Sequence, residues 1–148
     1  MKPFLRWAGG KSQIITSIKE IVDEHFNPNN TFIEPFVGGG SVFLNFEFDN
    51  VIINDLNSEL MNTYRVLRNN SKKLISALEQ LEMEHQKSLD GSFYYQVRSW
   101  DREVDFKYKT PIEKAARLIF LNKTCFNGLY RVNSQGYFNT PLGKPINR

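Results

Sequence analysis

The sequence predicts an α/β chain, on three observations. Two short β-branched runs flank a glycine triplet, helical stripes of apolar residues follow, and paired turn residues break the last third into short aromatic pieces. At 148 residues and 41% hydrophobic, the chain is long enough for one ordinary domain with its own core and short for two.

Each element follows in order. From Lys11 to Phe26, Ile14, Ile15, Ile18, Ile21 and Val22 fall on one stripe of a helix, and Asn27-Pro28-Asn29-Asn30 stops it. Thr31 to Val37 reads as a short buried strand that breaks into Gly38-Gly39-Gly40. Ser41 is placed to cap a helix carrying Val42, Phe43 and Leu44. Val51-Ile52-Ile53 is a second strand, ending at Asn54-Asp55.

Beyond it, Leu60, Met61, Tyr64 and Leu67 define one face of a helix from Asn57 to Leu67, and a further helix covers Lys72 to Glu84. Phe93 to Trp100 is expected to be helical. Pro111 opens a helix over Ile112 to Leu121, with Ala115, Ala116, Ile119 and Phe120 inward. After Lys123, the pairs Asn127-Gly128, Gln135-Gly136 and Leu142-Gly143 are turn and hairpin chemistry.

Charge and composition narrow the function classes. Residues 1–105 carry 11 Lys+Arg against 15 Asp+Glu, whereas residues 106–148 carry 8 against the single Glu113. A basic segment so concentrated suits a polyanion such as nucleic acid, since neutralising phosphates is the main sequence-independent source of affinity; a solvated basic face is the alternative. No run of eighteen apolar residues and no signal-peptide pattern occurs, and no metal site is expected. With only Cys125, no internal disulfide can form, which fits a reducing, cytoplasmic location.

The stretch RWAGGKSQ, Arg6 to Gln13, ends like a phosphate-binding loop. Leu5 stands where such a loop needs its first glycine, and no apolar strand precedes it, so the phosphate-loop reading fails. The strand, glycine turn, helix and second strand instead form a βαβ unit with Asp55 seventeen residues after Gly38. In such units the glycines admit a ligand to the backbone, and a carboxylate ending the second strand accepts from ribose hydroxyls. Phe43 occupies the third glycine position of a dinucleotide fingerprint, which disfavours a pyrophosphate ligand.

Lys2-Pro3-Phe4-Leu5-Arg6-Trp7-Ala8-Gly9-Gly10-Lys11, then Phe36-Val37-Gly38-Gly39-Gly40-Ser41, then Asn54-Asp55-Leu56-Asn57, resemble the Dam-type (D12 class) DNA adenine N6-methyltransferases. The segment Asn122 to Asn133, with Gly136, Phe138-Asn139 and Pro141, resembles that family's DNA-contacting hairpin. The resemblance spans nearly the whole chain. It implies part of an S-adenosylmethionine-dependent methyltransferase (Rossmann-like) fold over residues 1–70 and a helical and β-hairpin target-recognition region over 71–148.

The resemblance also implies a cofactor, S-adenosylmethionine, which carries a sulfonium, a purine and an amino-acid end. Trp7 and Lys11 then line its pocket, the indole stacking on the purine or facing the positive sulfur. Lys11 pairs with the ligand carboxylate or orders a neighbouring acidic group. Glu34 accepts from the ligand ammonium or braces the glycine turn. Phe36, Gly38 and Gly40 belong to the Phe-x-Gly-x-Gly turn, and Asp55 holds the ribose hydroxyls or caps the next helix. The bland alternatives are a core aromatic for Trp7, a solvated cation for Lys11 and a surface carboxylate for Glu34.

On double-stranded DNA, the expected partner, the resemblance assigns contacts to Lys123, Phe126, Asn127, Leu129, Arg131 and Asn133. Phe126 wedges between base pairs or packs in the hairpin's own core. Asn127 meets an orphaned base or holds the turn, and Arg131 reads guanine or contacts phosphate. Lys107, Lys109, Lys123 and Lys144 track phosphates. A GATC-type site, common in the family, is the expected target.

The family activates the adenine amine with an Asp-Pro-Pro-Tyr motif, and no Asp or Asn followed by Pro-Pro occurs in this sequence. No catalytic residue is therefore expected here. The chain reads as the N-terminal part of a methyltransferase, inactive alone or needing a complementing C-terminal chain. The rivals are a non-catalytic DNA-binding remnant and a nucleoside-binding domain unrelated to DNA.

Overall fold

A computed structural model describes residues 2–27 and 29–143, which form two compact units, one up to Asn57 and one from Ser58. Pro28, Lys144 and Pro145 lie outside the described residues. The division falls earlier in the chain than the functional boundary drawn at residue 70.

In the first unit a 3-10 turn, Lys11–Ile14, leads into helix α1, Ile15–His25. The helix forms where its apolar stripe predicts, yet none of its residues is fully buried, and Ile14 and Ile21 are more than half exposed. Strand β1, Thr31–Glu34, pairs in parallel with β2, Asn50–Ile53, with Thr31 opposite Asn50 and Glu34 opposite Ile53. The expected buried strand to Val37 is shorter than that, and its only buried side chain is Glu34. Ile33 and Ile52 lie open because the described sheet has two strands and nothing covers that face.

The helix expected after Ser41 is also corrected. Only a 3-10 turn, Phe43–Asn45, forms, and the chain then runs extended from Phe46. Phe32, Phe46 and Phe48 explain the early stop: Phe48 stacks flat on Phe32 of β1, with ring centroids 4.1 Å apart, and Phe46 lies 5.6 Å from Phe48. A longer helix would carry these rings away from the strand they pack on.

The second unit is helical. The two helices expected over 57–67 and 72–84 follow one another as α2, Ser58–Lys87, and meet at a kink between them, where Asn70 has non-helical backbone (φ −140°, ψ 34°). Leu60, Met61 and Tyr64 are buried as expected, whereas Leu67 is 39% exposed. Helix α3 spans Ser92–Ser99 and α4 spans Pro111–Thr124, and α4 packs chiefly on α2. Pro111 sits in the first turn of α4 under a capping box: the Thr110 hydroxyl accepts from the Glu113 N–H at 3.2 Å, and the Glu113 carboxylate accepts from the Thr110 N–H at 2.8 Å. Every residue from Ala115 to Asn122 is buried, so α4 is enclosed on all sides.

The last segment folds back as a loose antiparallel arm with two isolated bridges, Cys125 to Leu142 and Val132 to Phe138, in place of a regular hairpin. Asn127 and Gly128 both hold positive φ, 56° and 64°, the backbone that makes an Asn-Gly pair a tight turn. Phe138 anchors the arm, 3% exposed, with the Tyr130 ring edge-on at 5.6 Å. No helix of the described residues is long and apolar enough to cross a membrane.

Candidate functional site

In the first unit the parallel register determines what meets at the strand ends. With Glu34 opposite Ile53, the chain leaves both strands side by side, and the Asn54 N–H donates to the Glu34 carbonyl at 2.9 Å. The Val37 N–H then donates back to the Asn54 carbonyl at 2.9 Å. That ladder delivers Asp55 to the glycine turn. Its Oδ2 accepts from the Gly38 N–H and its Oδ1 from the Asn57 N–H, each at 3.0 Å. A carboxylate oxygen has a second lone pair, so both remain able to accept from a hydroxyl.

The turn itself needs its glycines. Gly38 and Gly40 hold φ of 51° and 82°. A Cβ on Gly38 would stand 3.2 Å from the Trp7 ring, and one on Gly39 only 2.8 Å from the Leu5 carbonyl oxygen. The N-terminal segment thus lies against the turn so closely that a side chain at Gly39 would meet its backbone and one at Gly38 would displace the indole.

A cleft of about 220 Å³ opens between these pieces, lined by Trp7, Gly9, Lys11, Phe36, Gly38 and Asp55, among others. That is below the usual range of about 300–1,000 Å³ for ligand pockets, so it fits part of a nucleoside-sized molecule. A second cleft, about 550 Å³, shares Trp7 and runs along Lys2, Leu5, Arg6 and Ser41. Phe36 is 74% exposed and forms the rim.

Glu34 and Gly40 do not line the first cleft. Glu34 is buried behind it, where its Oε1 accepts from Lys11 Nζ at 3.1 Å and its Oε2 from the Phe43 N–H at 3.3 Å. Lys11 also donates to the Phe36 carbonyl at 2.6 Å. Of the two roles open to each residue in the sequence, these contacts are those of a brace: the lysine neutralises Glu34, and the carboxylate ties both sides of the glycine turn.

In the second unit Lys123 in the last turn of α4, and Phe126, Asn127, Leu129 and Arg131 on the arm, all reach solvent, with Phe126 49% exposed instead of packed into the arm's core. The Arg131 guanidinium donates from Nε to Asn139 Oδ1 at 2.8 Å and from Nη2 to the Asn139 carbonyl at 3.4 Å, two of five donors. Asn133 is half-buried, and its Oδ1 accepts from the N–H groups of Gln135 and Tyr137, each at 3.0 Å, which closes the arm's tip. Asn122, buried, donates to the Gly128 carbonyl at 3.1 Å and fixes the Asn-Gly turn to α4.

Sequence reasoning missed a charged network beneath the arm. Arg117 is 1% exposed and donates from Nη2 to Asp101 Oδ2 at 2.8 Å, with Glu59 3.7 Å from its other terminal nitrogen. Its Nε and Nη2 also reach the carbonyls of Val97 and Arg98. Part of the basic surplus after residue 106 is therefore internal. Burial holds the Glu59 carboxyl above its ordinary range, with Asp101 adding to the shift while Arg117 and Lys114 oppose it. Burial likewise raises the Tyr94 phenol, whose hydroxyl donates to the Thr140 carbonyl at 2.9 Å. The available signal was an arginine inside the run Ala115 to Asn122, otherwise apolar up to its final residue.

Comparison with known proteins bears on this arrangement. A family model, D12 class N6 adenine-specific DNA methyltransferase, matches residues 7–148. The Type II methyltransferase M.MjaIII of Methanocaldococcus jannaschii is 45% identical over 97% of this chain and 53% of its own length. The Type II methyltransferase M1.LlaDCHI of Lactococcus lactis is 39% identical, and the DNA adenine methylase of Escherichia coli is 35% identical, each over 97% of this chain and 48% of its own. The chain spans about half the length of the relatives it matches. Both the glycine-turn cleft and the arm fall within the matched residues, and the chain belongs to the D12 class of N6 adenine-specific DNA methyltransferases.

Proposed function

We propose that these 148 residues supply the S-adenosylmethionine site and the target-recognition arm of an enzyme that methylates adenine N6 at specific sites in duplex DNA. The observation that carries the reading is the Asp55 carboxylate, hydrogen-bonded to the Gly38 N–H in the cleft walled by Trp7. S-adenosylmethionine, when bound, supplies a methyl group activated by its positive sulfur. Asp55 holds the ribose hydroxyls with its remaining lone pairs, Trp7 offers its ring face to the purine or the sulfonium, and the turn at Gly38 lets the methionine portion run along the backbone. Lys11 in the cleft wall and the buried Glu34 keep that turn in place. Asp55→Ala should weaken S-adenosylmethionine binding at least about tenfold, a loss of about 1.4 kcal/mol or more. Calorimetry giving equal affinity overturns the assignment.

The arm is assigned to double-stranded DNA, with a GATC-type sequence as the target to try first. Phe126 fills the gap left by an extruded adenine, Arg131 reads a guanine edge, and Asn127 meets the orphaned partner base. Leu129, Asn133 and Lys123 complete the contact surface. We infer that activation of the adenine amine belongs to an Asp-Pro-Pro-Tyr motif, which these residues do not contain. A methyl-transfer assay tests the division of roles: labelled methyl reaching adenine only when a segment bearing that motif is supplied supports it, and transfer by these residues alone overturns it.

A further inference from the structure

We propose that Asp101 and Arg102 are positioning residues that clamp the recognition arm by its backbone and so set the pose of Arg131. The inference rests on the DNA-reading role proposed for the arm. Val132 and Phe138 face each other between two ladder bonds, Asn139 N–H to the Arg131 carbonyl at 3.0 Å and Asn133 N–H to the Tyr137 carbonyl at 2.9 Å. In that kind of pair the backbone groups of Phe138 point away from the partner strand, toward the arm's outer edge. An unpaired edge of this sort is satisfied by a third strand or by side chains.

Here side chains serve. Asp101 Oδ2 accepts from the Phe138 N–H at 2.7 Å, and Arg102 Nη2 donates to the Phe138 carbonyl at 2.8 Å. Two residues on, and therefore on the same edge, the Thr140 carbonyl accepts from Tyr94 Oη at 2.9 Å and from Arg98 Nη1 at 3.3 Å. Asp101 is itself held: its Oδ1 accepts from Arg102 Nη1 at 2.7 Å, its Oδ2 also accepts from buried Arg117, and its side chain is 9% exposed. The clamp thus ties the arm to the enclosed helix α4. Between its two anchor points lies Asn139, the residue whose side chain and carbonyl orient the Arg131 guanidinium.

Because the clamp grips backbone, its loss should leave Arg131 in place chemically but free to turn, so sequence discrimination falls before general DNA affinity. The test uses the full chain, a randomised duplex pool sequenced after selection, and fluorescence anisotropy against the selected and a scrambled duplex. Asp101→Asn should lower the selected-to-scrambled affinity ratio about tenfold, within what one bidentate base contact supplies. Combined with Arg131→Ala it should lower that ratio no further than Arg131→Ala alone. Asp101→Glu should recover part of the ratio. Should Asp101→Asn fail to fold, since it also partners Arg117, Arg102→Met removes the carbonyl half of the clamp and keeps the aliphatic stem.

An unchanged ratio in a folded variant overturns the proposal, as do losses that multiply with Arg131→Ala. Amide hydrogen exchange separates the two layers of inference. If Phe138 exchanges no faster in the variants, the clamp itself is wrong. If it exchanges faster and the parent chain does not select any duplex, the DNA reading fails and takes the clamp's purpose with it.

Discussion

Replacing Gly38 by alanine isolates the close approach between the glycine turn and Trp7. The substitution has two separable costs. Gly38 holds φ of +51°, and a Cβ in left-handed backbone costs about 1–2 kcal/mol. That Cβ would also stand 3.2 Å from Trp7 Cδ1 and 3.8 Å from Cγ. Carbon atoms pack best at roughly 3.5–4.0 Å, so the indole must withdraw by a few tenths of an ångström. Gly136→Ala is the control, because Gly136 holds φ of +83° with nothing within 4 Å of its would-be Cβ and lies in the second unit. Both variants should lose stability by about the conformational cost. Only Gly38→Ala should lose S-adenosylmethionine affinity, by about tenfold, or 1.4 kcal/mol, because Trp7 is the wall that moves. Titration calorimetry gives the affinities and thermal denaturation the stabilities. Parental affinity in Gly38→Ala would refute the reasoning, since Trp7 would then not be the wall against which the donor rests.

Three further outcomes are expected. Thr110→Ala removes the hydroxyl half of the capping box on α4 and should cost about 1 kcal/mol, read by chemical denaturation; no change would mean the Glu113 half suffices. Glu59 has a folded-state pKa above the ordinary 4.5, so its contribution to stability is fully present below that value and is lost as pH rises through the folded-state value. The parent's stability relative to Glu59→Gln should therefore be greatest at acid pH and shrink toward neutrality, and a difference that grows with pH contradicts the shift. Arg131→Ala should reduce discrimination among duplexes more than total affinity, measured by anisotropy at fixed salt, and an undiminished preference excludes direct readout.

Much of the cleft was legible because parallel pairing is a strong constraint. Once Thr31–Glu34 and the Val51–Ile53 run are parallel neighbours, a glycine bend after the first and a carboxylate after the second must emerge at the same sheet end. The Asn127-Gly128 turn was legible for a similar reason, since few other pairs adopt positive φ twice. Coverage was harder to read. A β-branched run announces pairing and says little of what lies over it, so Ile33 and Ile52 read as core and are open. Arg117 misleads in the opposite direction. A lone arginine in a helix usually signals a wet face, and only the joint presence of Asp101, Glu59 and two main-chain carbonyls from distant segments makes its burial tolerable. Those partners converge only in the folded unit. Thr110-Pro-Ile-Glu113 carries a capping signal in its Thr and Glu, three residues apart, beside the proline that marks the helix start.

The first unit is thinly filled: its buried apolar side chains among the described residues are Leu5, Val37 and Val42, against a long roster along α2 and α4. A ligand that settles between Trp7 and Asp55 would there act as missing core as well as reagent. Occupancy at a hundred times the dissociation constant adds about 2.7 kcal/mol to whatever holds that unit together. On the reading proposed above, S-adenosylmethionine should accordingly raise the melting temperature of the first unit, as differential scanning calorimetry with and without it would show.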